Sequence, residues 1–319
     1  MPTNDDFAFR VADARRAGMS RRAVDDSALD RPFNGLRALR VEDENENAGQ
    51  RHPLDLARDA HVRAARQFTV HMHAHEFFSH STAALLWNLP LPAPVPDRID
   101  VSVAAPHRAP SGRGVRGRQL SAAQVSIVAH PEGFSITSPA STWAQLGTVV
   151  KHPYDLTAIA DAVTRTPRIA GPNGRVLRPA YATVAELSVE LRRGRRIGVR
   201  ALEEALRRTR AGSASRPETW TRLTIVDAGL PEPVLDHDVY DDRGRFIGCV
   251  DLAYVDLEIA IEYEGDHHRL DTAQWNRDIQ KHDDLAALGW RIIRVTKAEL
   301  FDNPGELIRR VRGALRSRS

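Results

Sequence analysis

The first forty residues contain two short helical patterns separated by a turn. Apolar residues spaced four and three apart predict a helix over residues 7–17. Gly18 ends this helix, and Ser20 caps a second helix that we expect over residues 21–29. An Asn-Gly turn and a short strand follow. Two helices followed by a hairpin are typical of a winged helix, which we predict over residues 1–50. A plain helical hairpin would give a similar pattern.

A second unit with mixed periodicity is predicted over residues 55–175. Helical spacing alternates there with short strand-like stretches such as RIDVSVAA, VSIVAH and FSITSP. A basic helical connector follows over residues 176–212, and its small residues AGSASRP at 211–217 indicate a domain boundary. The chain is therefore expected to be a multidomain protein of the α+β or α/β class.

The pattern over residues 213–319 predicts the element order α-β-β-β-α-β-α. A helix that ends at Gly229 precedes three strand-like stretches, VLDHDVYDD, RFIGCVDLAYV and LEIAIEYEG. A helix is then expected over residues 273–288, followed by the strand WRIIRVT and a last helix that opens at Asn303. Four residues are expected to lie on one face of the 273–288 helix: Trp275, Ile279, His282 and Ala286.

The composition is that of a globular protein of about two domains. The chain has 319 residues, of which 42% are hydrophobic and 27% charged, and this is too apolar for a disordered chain. No stretch approaches the ~20 consecutive apolar residues of a membrane helix, and the opening residues do not resemble a secretory signal. With Cys249 as the single cysteine, no intrachain disulfide is expected. We expect a cytoplasmic protein with no membrane partner, and the sequence leaves its oligomeric state open.

Charge indicates a partner through its distribution rather than its total. The 45 Lys and Arg exceed the 42 Asp and Glu by only three, but arginines cluster at 192–196, 207–210 and 309–318. Forked guanidinium groups suit phosphates, so these clusters favour a nucleic-acid partner; a GC-rich genome that encodes arginine for surface cations explains them equally well. Arg21 and Arg22 would begin the second predicted helix, where a recognition helix meets a DNA groove.

Strand alternation brings acidic side chains together in the C-terminal region. Glu262 and Glu264 lie on one face of their strand. Asp251 lies within an apolar strand, where a lone carboxylate is costly unless it is paired or binds a metal. If the two strands are neighbours, Asp251 and Glu262 form an oxygen site suited to Mg²⁺ or Mn²⁺. His267 and His268 follow the strand, and a histidine there is suited to acid–base catalysis.

Several motifs occur in order along the last third of the chain. They are P-E-T-x-x-R-L at 217–223, A-G-L-P-E-P at 228–233, G-x-x-D-L-A-Y at 248–254, I-E-Y-E-G-D-H-H at 261–268, W-x-R-D at 275–278 and L-x-x-x-G-W-R-I-I-R-V-T at 285–296. With these motifs the region resembles the PD-(D/E)XK nuclease superfamily. It is most similar to a domain-of-unknown-function group related to very-short-patch-repair (Vsr) endonucleases. The resemblance implies a restriction-endonuclease-like core.

The resemblance implies roles for individual residues. Asp251 matches the family's metal-binding aspartate, and Glu262 matches the acidic position of its second motif. Glu264 stands where the superfamily name has lysine, and an acid at this place is usual in this subgroup. Glu218 matches the acid on the first helix, and His268 matches the histidine after the acidic strand. These five residues are the predicted catalytic set.

The missing motif lysine leaves one catalytic charge unassigned. Lys281 and Arg294, which matches the arginine of the last strand, are the two candidates for this cation and for a nucleic-acid contact. Asp251 and Glu262, helped by Glu218 or Glu264, would hold one or two Mg²⁺ or Mn²⁺ ions for phosphodiester hydrolysis. Two plainer interpretations remain: Glu218 is also a capping-box residue for Ser215, and Glu264 is also a solvated strand end.

The middle of the chain resembles a different family. The motifs are S-H-S-T-A-A-L-L-W-N-L-P-L-P at 79–92 and I-T-S-P-A-S-T-W-A-Q-L at 136–146. Together with the predicted winged helix, they resemble the antitoxin component of abortive-infection (AbiEi) toxin–antitoxin systems, which implies DNA binding and a toxin partner. Four nearby histidines lack an acidic or cysteine partner at zinc-ligand spacing, so we do not predict a zinc site. They are His71, His73, His75 and His80.

Two functions of different classes follow from these patterns. The first is a metal-dependent DNA endonuclease or nickase in DNA repair or defence, with DNA and a repair or toxin protein as partners. The second is a DNA-binding regulator or antitoxin-like protein whose nuclease fold is inactive. The presence of both Asp251 and Glu262 favours the first, because an inactive nuclease is expected to lose one of them.

Overall fold

The computed structural model describes residues 7–40, 52–265 and 272–318. The chain divides into two compact units, Met1–Lys151 with Ala185–Glu203 and His152–Val184 with Glu204–Ser319. Helices accompany one antiparallel sheet and two mixed sheets, so the expected α+β class is confirmed. Among the helices in the described ranges, none is long and apolar enough to cross a bilayer.

The N-terminal segment is a small three-stranded sheet with two short helices. Its elements are β1 (Ala8–Arg10), α1 (Val11–Arg16), α2 (Arg21–Val24), β2 (Leu29–Asp30) and β3 (Leu36–Leu39). The strand order β1-β3-β2 is antiparallel throughout. The helix predicted over 7–17 therefore begins as a strand, and the one predicted over 21–29 ends at Val24. At this end the Arg37 guanidinium donates to the Val24 carbonyl oxygen at 2.9 Å. This carbonyl therefore has a hydrogen-bond partner without a further turn of helix.

A five-stranded mixed sheet forms the centre of the first unit. Its elements are α3 (Pro53–Phe68), β4 (Glu76–Phe78), α4 (His80–Leu86), β5 (Ile99–Ala104), β6 (Val115–Leu120), β7 (Ile127–Ala129), β8 (Ser135–Thr137) and α5 (Pro139–Leu146). The strand order is β6-β5-β4-β8-β7. Phe77, Phe78 and Trp143 are fully buried in its core. The strand-like stretches predicted within residues 55–175 all form strands.

Three helices follow the sheet of the first unit. They are α6 (Pro153–Thr164), α7 (Val184–Arg192) and α8 (Val199–Arg208). Although α6 falls inside the predicted 55–175 domain, it belongs to the second unit. There it packs on α9 (Arg216–Asp227), and buried Arg222 of α9 lies 3.1 Å from Asp161 of α6. The antitoxin-like assignment of residues 55–175 stays a prediction.

The second unit contains the helix and strand order predicted for the C-terminal region. Its further elements are β9 (Val234–Tyr240), β10 (Phe246–Tyr254), β11 (Ile259–Tyr263), α10 (Thr272–Ala287), β12 (Arg291–Val295), α11 (Lys297–Phe301) and α12 (Pro304–Arg316). The sheet order is β12-β11-β10-β9, with β11 and β12 parallel. The short helix α11 is an addition, and it begins with a capping box between Thr296 and Glu299. Asn303 precedes α12 as predicted but makes no side-chain cap hydrogen bond.

Both faces of this four-stranded sheet are covered by helices. Apolar residues of β10, β11 and β12 pack with Ile225 of α9 and Leu307 of α12. Leu285 of α10 packs instead with Ala253 and Ala260. The side of α10 that packs on the sheet thus includes Leu285, which is fully buried, whereas Ile279 of the predicted face is 44% exposed.

Candidate functional site

Asp251 and Glu262 lie side by side on the two central strands of the four-stranded sheet of the second unit. The antiparallel register pairs Leu252 with Ile261 and continues to set Asp251 opposite Glu262. The Tyr263 backbone N–H donates to the Asp251 carboxylate at 2.9 Å. Burial and the Glu262 charge raise the pKa of Asp251 to about 6. The neighbouring strands on which the sequence argument depended are thus present, and the two acids face each other.

Glu262 is held by two cationic or polar side chains from α10. Lys281 Nζ lies 2.5 Å from Glu262 Oε1, and His282 Nε2 lies 2.5 Å from Glu262 Oε2. Burial raises the pKa of Glu262, but the hydrogen bond from His282 and the Lys281 charge outweigh it, and the net pKa is lowered. Glu262 therefore loses its proton more readily than Asp251, whose pKa is raised. Sequence reasoning placed His282 on one face of α10 and missed this contact; its position beside Lys281 on α10 was the available signal.

The second candidate cation has a different partner. Arg294 is opposite Glu262 in the β11–β12 register, but its guanidinium lies 2.8 Å from the carboxylate of Glu264. Both of these side chains are about half exposed. Of the two candidates, Lys281 alone forms an ion pair with Glu262 among the contacts of the described residues. Glu264 follows the last residue of β11 and fits the plainer interpretation of a solvated strand end.

Glu218 occupies the first turn of α9, where it caps the helix. Its backbone N–H donates to Ser215 Oγ at 3.3 Å, and its carboxylate accepts from the Ala214 backbone N–H at 2.6 Å. Burial and the charge of Asp251 raise the pKa of Glu218 to about 8. Ser215 thus caps α9 as the capping interpretation expects, but the Glu218 carboxylate accepts from Ala214 and not from the Ser215 backbone N–H, so the reciprocal bond of a capping box is displaced by one residue. The Asp251 charge also acts on Glu218, and a role of Glu218 in the acidic site stays a prediction.

A cleft of about 960 Å³ opens at Asp251 and Glu262. Within the described part of the chain its charged lining comprises six acids, three Lys or Arg residues and one histidine: Asp251, Glu262, Glu264, Asp278, Asp283, Asp302, Lys281, Arg294, Lys297 and His282. Acids outnumber the cations, so this wall by itself repels a polyanion. A nucleic-acid backbone can approach such a surface once bound cations compensate the carboxylates.

The remaining predicted site residues either do not line this cleft or lie outside the described ranges. His267 and His268 fall within residues 266–271, which are not described. The side chain of Trp275 in α10 is not described either. Arg21 and Arg22 are exposed in the single turn of α2.

The four clustered histidines do not converge on one point. His73 and His75 stack with ring centroids 5.7 Å apart, and His75 stacks on His107 at 4.3 Å. His80 is buried separately, with its Nδ1 2.9 Å from Ser79 Oγ. Within the described ranges, no group of three or more His, Cys, Asp or Glu side chains has the arrangement of a metal site.

The acidic pair nonetheless fits a hard divalent cation. Mg²⁺ keeps several of its waters and uses one or two protein carboxylates, so a cluster of three ligands is not required. Asp251 and Glu262 supply such oxygens at the cleft wall. Burial is the main cause of the raised pKa values of Asp251 and Glu218, and repulsion by Glu262 and by Asp251 respectively adds to it.

Comparison with known proteins leaves the family open. No protein-family model matches the chain. The chain is similar to two uncharacterized proteins from two strains of Mycobacterium tuberculosis, MT2308 and Rv2248. Each is 30% identical over 175 residues, which is 55% of this chain and 59% of the relative. The chain thus spans less than two thirds of the length of these relatives.

Proposed function

We propose that residues 213–319 form a PD-(D/E)XK-type, Vsr-like nuclease domain that hydrolyses phosphodiester bonds of DNA with Mg²⁺ or Mn²⁺. The protein would act as an endonuclease or nickase in DNA repair or defence. One observation carries this proposal: Asp251 and Glu262 face each other on neighbouring strands at the wall of a cleft, and Lys281 pairs with Glu262.

Lys281 supplies the charge that the Glu-Tyr-Glu motif lacks. It reaches Glu262 from α10 and not from β11, where the superfamily carries its lysine. A lysine ammonium at this place compensates negative charge that develops on a phosphate in the transition state. Arg294 is less suited to this role because its guanidinium pairs with half-exposed Glu264 and with neither acid of the central pair.

Asp251 and Glu262 would hold the divalent ion, with Glu218 behind Asp251. When bound, such an ion lowers the pKa of a water and compensates charge on the scissile phosphate. His282 keeps Glu262 ionised and oriented through its 2.5 Å contact, which fits the support that ligands receive from neighbouring groups. The Tyr263 backbone N–H orients the Asp251 carboxylate in the same way.

Cleavage of supercoiled plasmid in Mg²⁺ or Mn²⁺ tests the proposal. Wild-type protein should nick or cut the plasmid, and EDTA should abolish this activity. Asp251→Asn should also abolish it, whereas Asp256→Asn, an exposed acid just after β10, is the matched control and should cleave like wild type. Activity that persists in Asp251→Asn would show that the site is placed wrongly.

A DNA-binding regulator or antitoxin-like protein with an inactive nuclease fold is the second proposal. The observation that favours it is the engagement of both Glu262 oxygens by Lys281 and His282, which leaves one carboxylate less free to bind a metal. Salt-sensitive DNA retention by wild type and Asp251→Asn alike, without cleavage by either, would support this function and overturn the first.

A further inference from the structure

Arg168 lies in a segment that precedes the predicted nuclease domain, yet it contacts the sheet that carries the acidic pair. The segment folds back on itself through an antiparallel bridge between Arg168 and Val176. The Arg168 guanidinium donates to the Asp236 carboxylate at 2.9 Å and to the Asp236 carbonyl oxygen at 2.7 Å. It also donates twice to the Asp238 carboxylate, at 2.6 and 3.1 Å. One guanidinium thus compensates two acids of the edge strand β9.

Asp236 is the nearest further acid to Asp251 in the strand register. The pairs Val250–His237 and Leu252–Leu235 set Asp251 opposite Asp236, so Asp251 lies between Asp236 and Glu262. Asp236 has a left-handed backbone with a φ of 51°, which is uncommon for a residue other than glycine and requires support from its surroundings. Arg168 and the Cys249 thiol, which donates to Asp236 at 3.2 Å, provide this support.

We propose that Arg168 is a positioning residue that holds Asp236 away from the cation site. The inference rests on the proposed nuclease function and deepens it, because it assigns part of the site to residues 165–178. With Arg168 present, the proposed cation site would have the carboxylates of Asp251 and Glu262, with Glu218 close enough to sense the Asp251 charge. A freed Asp236 would add a further carboxylate beside Asp251 and take a place that the water or the phosphate needs.

This geometry predicts an unusual pair of effects for Arg168→Gln. The additional negative charge should tighten Mn²⁺ binding by at least about threefold. The additional carboxylate should slow plasmid cleavage by about 10- to 100-fold, as is common when a group that orients metal ligands is removed. A purely structural role for Arg168 would weaken metal binding and cleavage together.

Removal of the freed carboxylate provides the decisive test. Arg168→Gln/Asp236→Asn should regain most of the cleavage rate and the wild-type Mn²⁺ affinity. The matched control is Arg168→Gln/Asp238→Asn, because Asp238 also binds Arg168 but lies opposite Cys249 in the strand register and not opposite Asp251. This control should stay slow. Mn²⁺ affinity is measured by titration calorimetry at pH 8 on the full chain, and cleavage on supercoiled plasmid.

Each outcome separates this inference from the proposed function. Wild type that binds Mn²⁺ and cleaves, with Arg168→Gln indistinguishable from it, overturns the role of Arg168 and leaves the nuclease intact. Weaker Mn²⁺ binding in Arg168→Gln, or equal rescue by both double variants, also overturns it. Wild type that neither binds Mn²⁺ nor cleaves removes the proposed function, and the role of Arg168 falls with it.

Discussion

The ammonium of Lys281 lies 2.5 Å from the carboxylate of Glu262, although the motif around Glu262 has no lysine of its own. A helix that follows β11 therefore supplies the cation to the acidic strand. The pair is largely buried, with 22% and 9% of the two side chains exposed. Lys281 thus differs from Arg294, which pairs with Glu264, and we expect the two residues to affect cleavage differently.

Lys281→Met should reduce plasmid cleavage by at least about tenfold, because a transition-state charge loses its partner. Arg294→Met removes a cation from the half-exposed pair with Glu264 and should reduce cleavage much less. Initial rates are compared at equal folded fraction, determined by thermal unfolding. A larger loss in Arg294→Met than in Lys281→Met would assign the catalytic cation to Arg294.

Asp251 and Glu218 should contribute stability that is lost as the pH rises and that a divalent cation restores. Asp251 and Glu218 have folded pKa values of about 6 and about 8, above their ordinary values of 3.8 and 4.5. At these two carboxyl groups the folded state therefore binds protons more tightly than the unfolded state, and their contribution is lost between about pH 4 and pH 8. Asp161, with a pKa that burial raises to about 6, adds to the same slope.

Mn²⁺ should raise the unfolding temperature more at pH 8 than at pH 5.5, because protons compete with the cation for the carboxylates. Asp251→Asn should diminish both the pH slope and the effect of Mn²⁺. Asp161 lies at the contact between α6 and α9. It should therefore contribute to the pH dependence of stability but not to the effect of Mn²⁺ on the unfolding temperature. An equal Mn²⁺ effect at both pH values in wild type would contradict a site built on Asp251 and Glu218.

Variants at Glu218 and Ser215 distinguish a role in helix capping from a role in metal binding. Glu218→Gln keeps an oxygen that can accept from Ala214, so its effect on stability should be small, while loss of the charge should lower Mn²⁺ affinity and cleavage. Ser215→Ala removes the cap of α9 and should cost about 1 kcal/mol of stability with unchanged cleavage per folded molecule. Wild-type cleavage by Glu218→Gln would restrict Glu218 to capping.

Arg21 and Arg22 should contribute to DNA affinity if the N-terminal segment binds DNA. The double Ala variant should weaken retention of duplex DNA. It should also reduce the dependence of log K on log salt by about one unit for each phosphate that the protein no longer neutralises. Arg245→Ala changes an exposed arginine that pairs with Asp241 and lies outside the arginine clusters, and it serves as the control. Filter binding between 50 and 200 mM salt, roughly the range over which phosphate binding by cationic side chains weakens, measures both slopes.

The C-terminal elements could be predicted because their periodicities are strong and local. β10, β11 and β12 coincide closely with the stretches of alternation around Asp251, Glu262 and Arg294. The N-terminal helices were predicted too long, because the hydrogen bond from Arg37 that ends α2 comes from a distant strand. The face predicted for α10 fits only in part: His282 reaches the buried carboxylate of Glu262 together with Lys281, whereas Ile279 of the same face is 44% exposed.

Alternation along the chain predicts the strands of the second unit and shows that Asp251 and Glu262 are acids in apolar surroundings. The tertiary structure alone reveals that these two acids face each other, that Lys281 reaches Glu262, and that Arg168 compensates Asp236. The first kind of information is local in the sequence, and the second depends on contacts between residues that are far apart in it. Side-chain alternation follows from the backbone of one strand, whereas strand register and the meeting of distant charges depend on how helices and sheet pack.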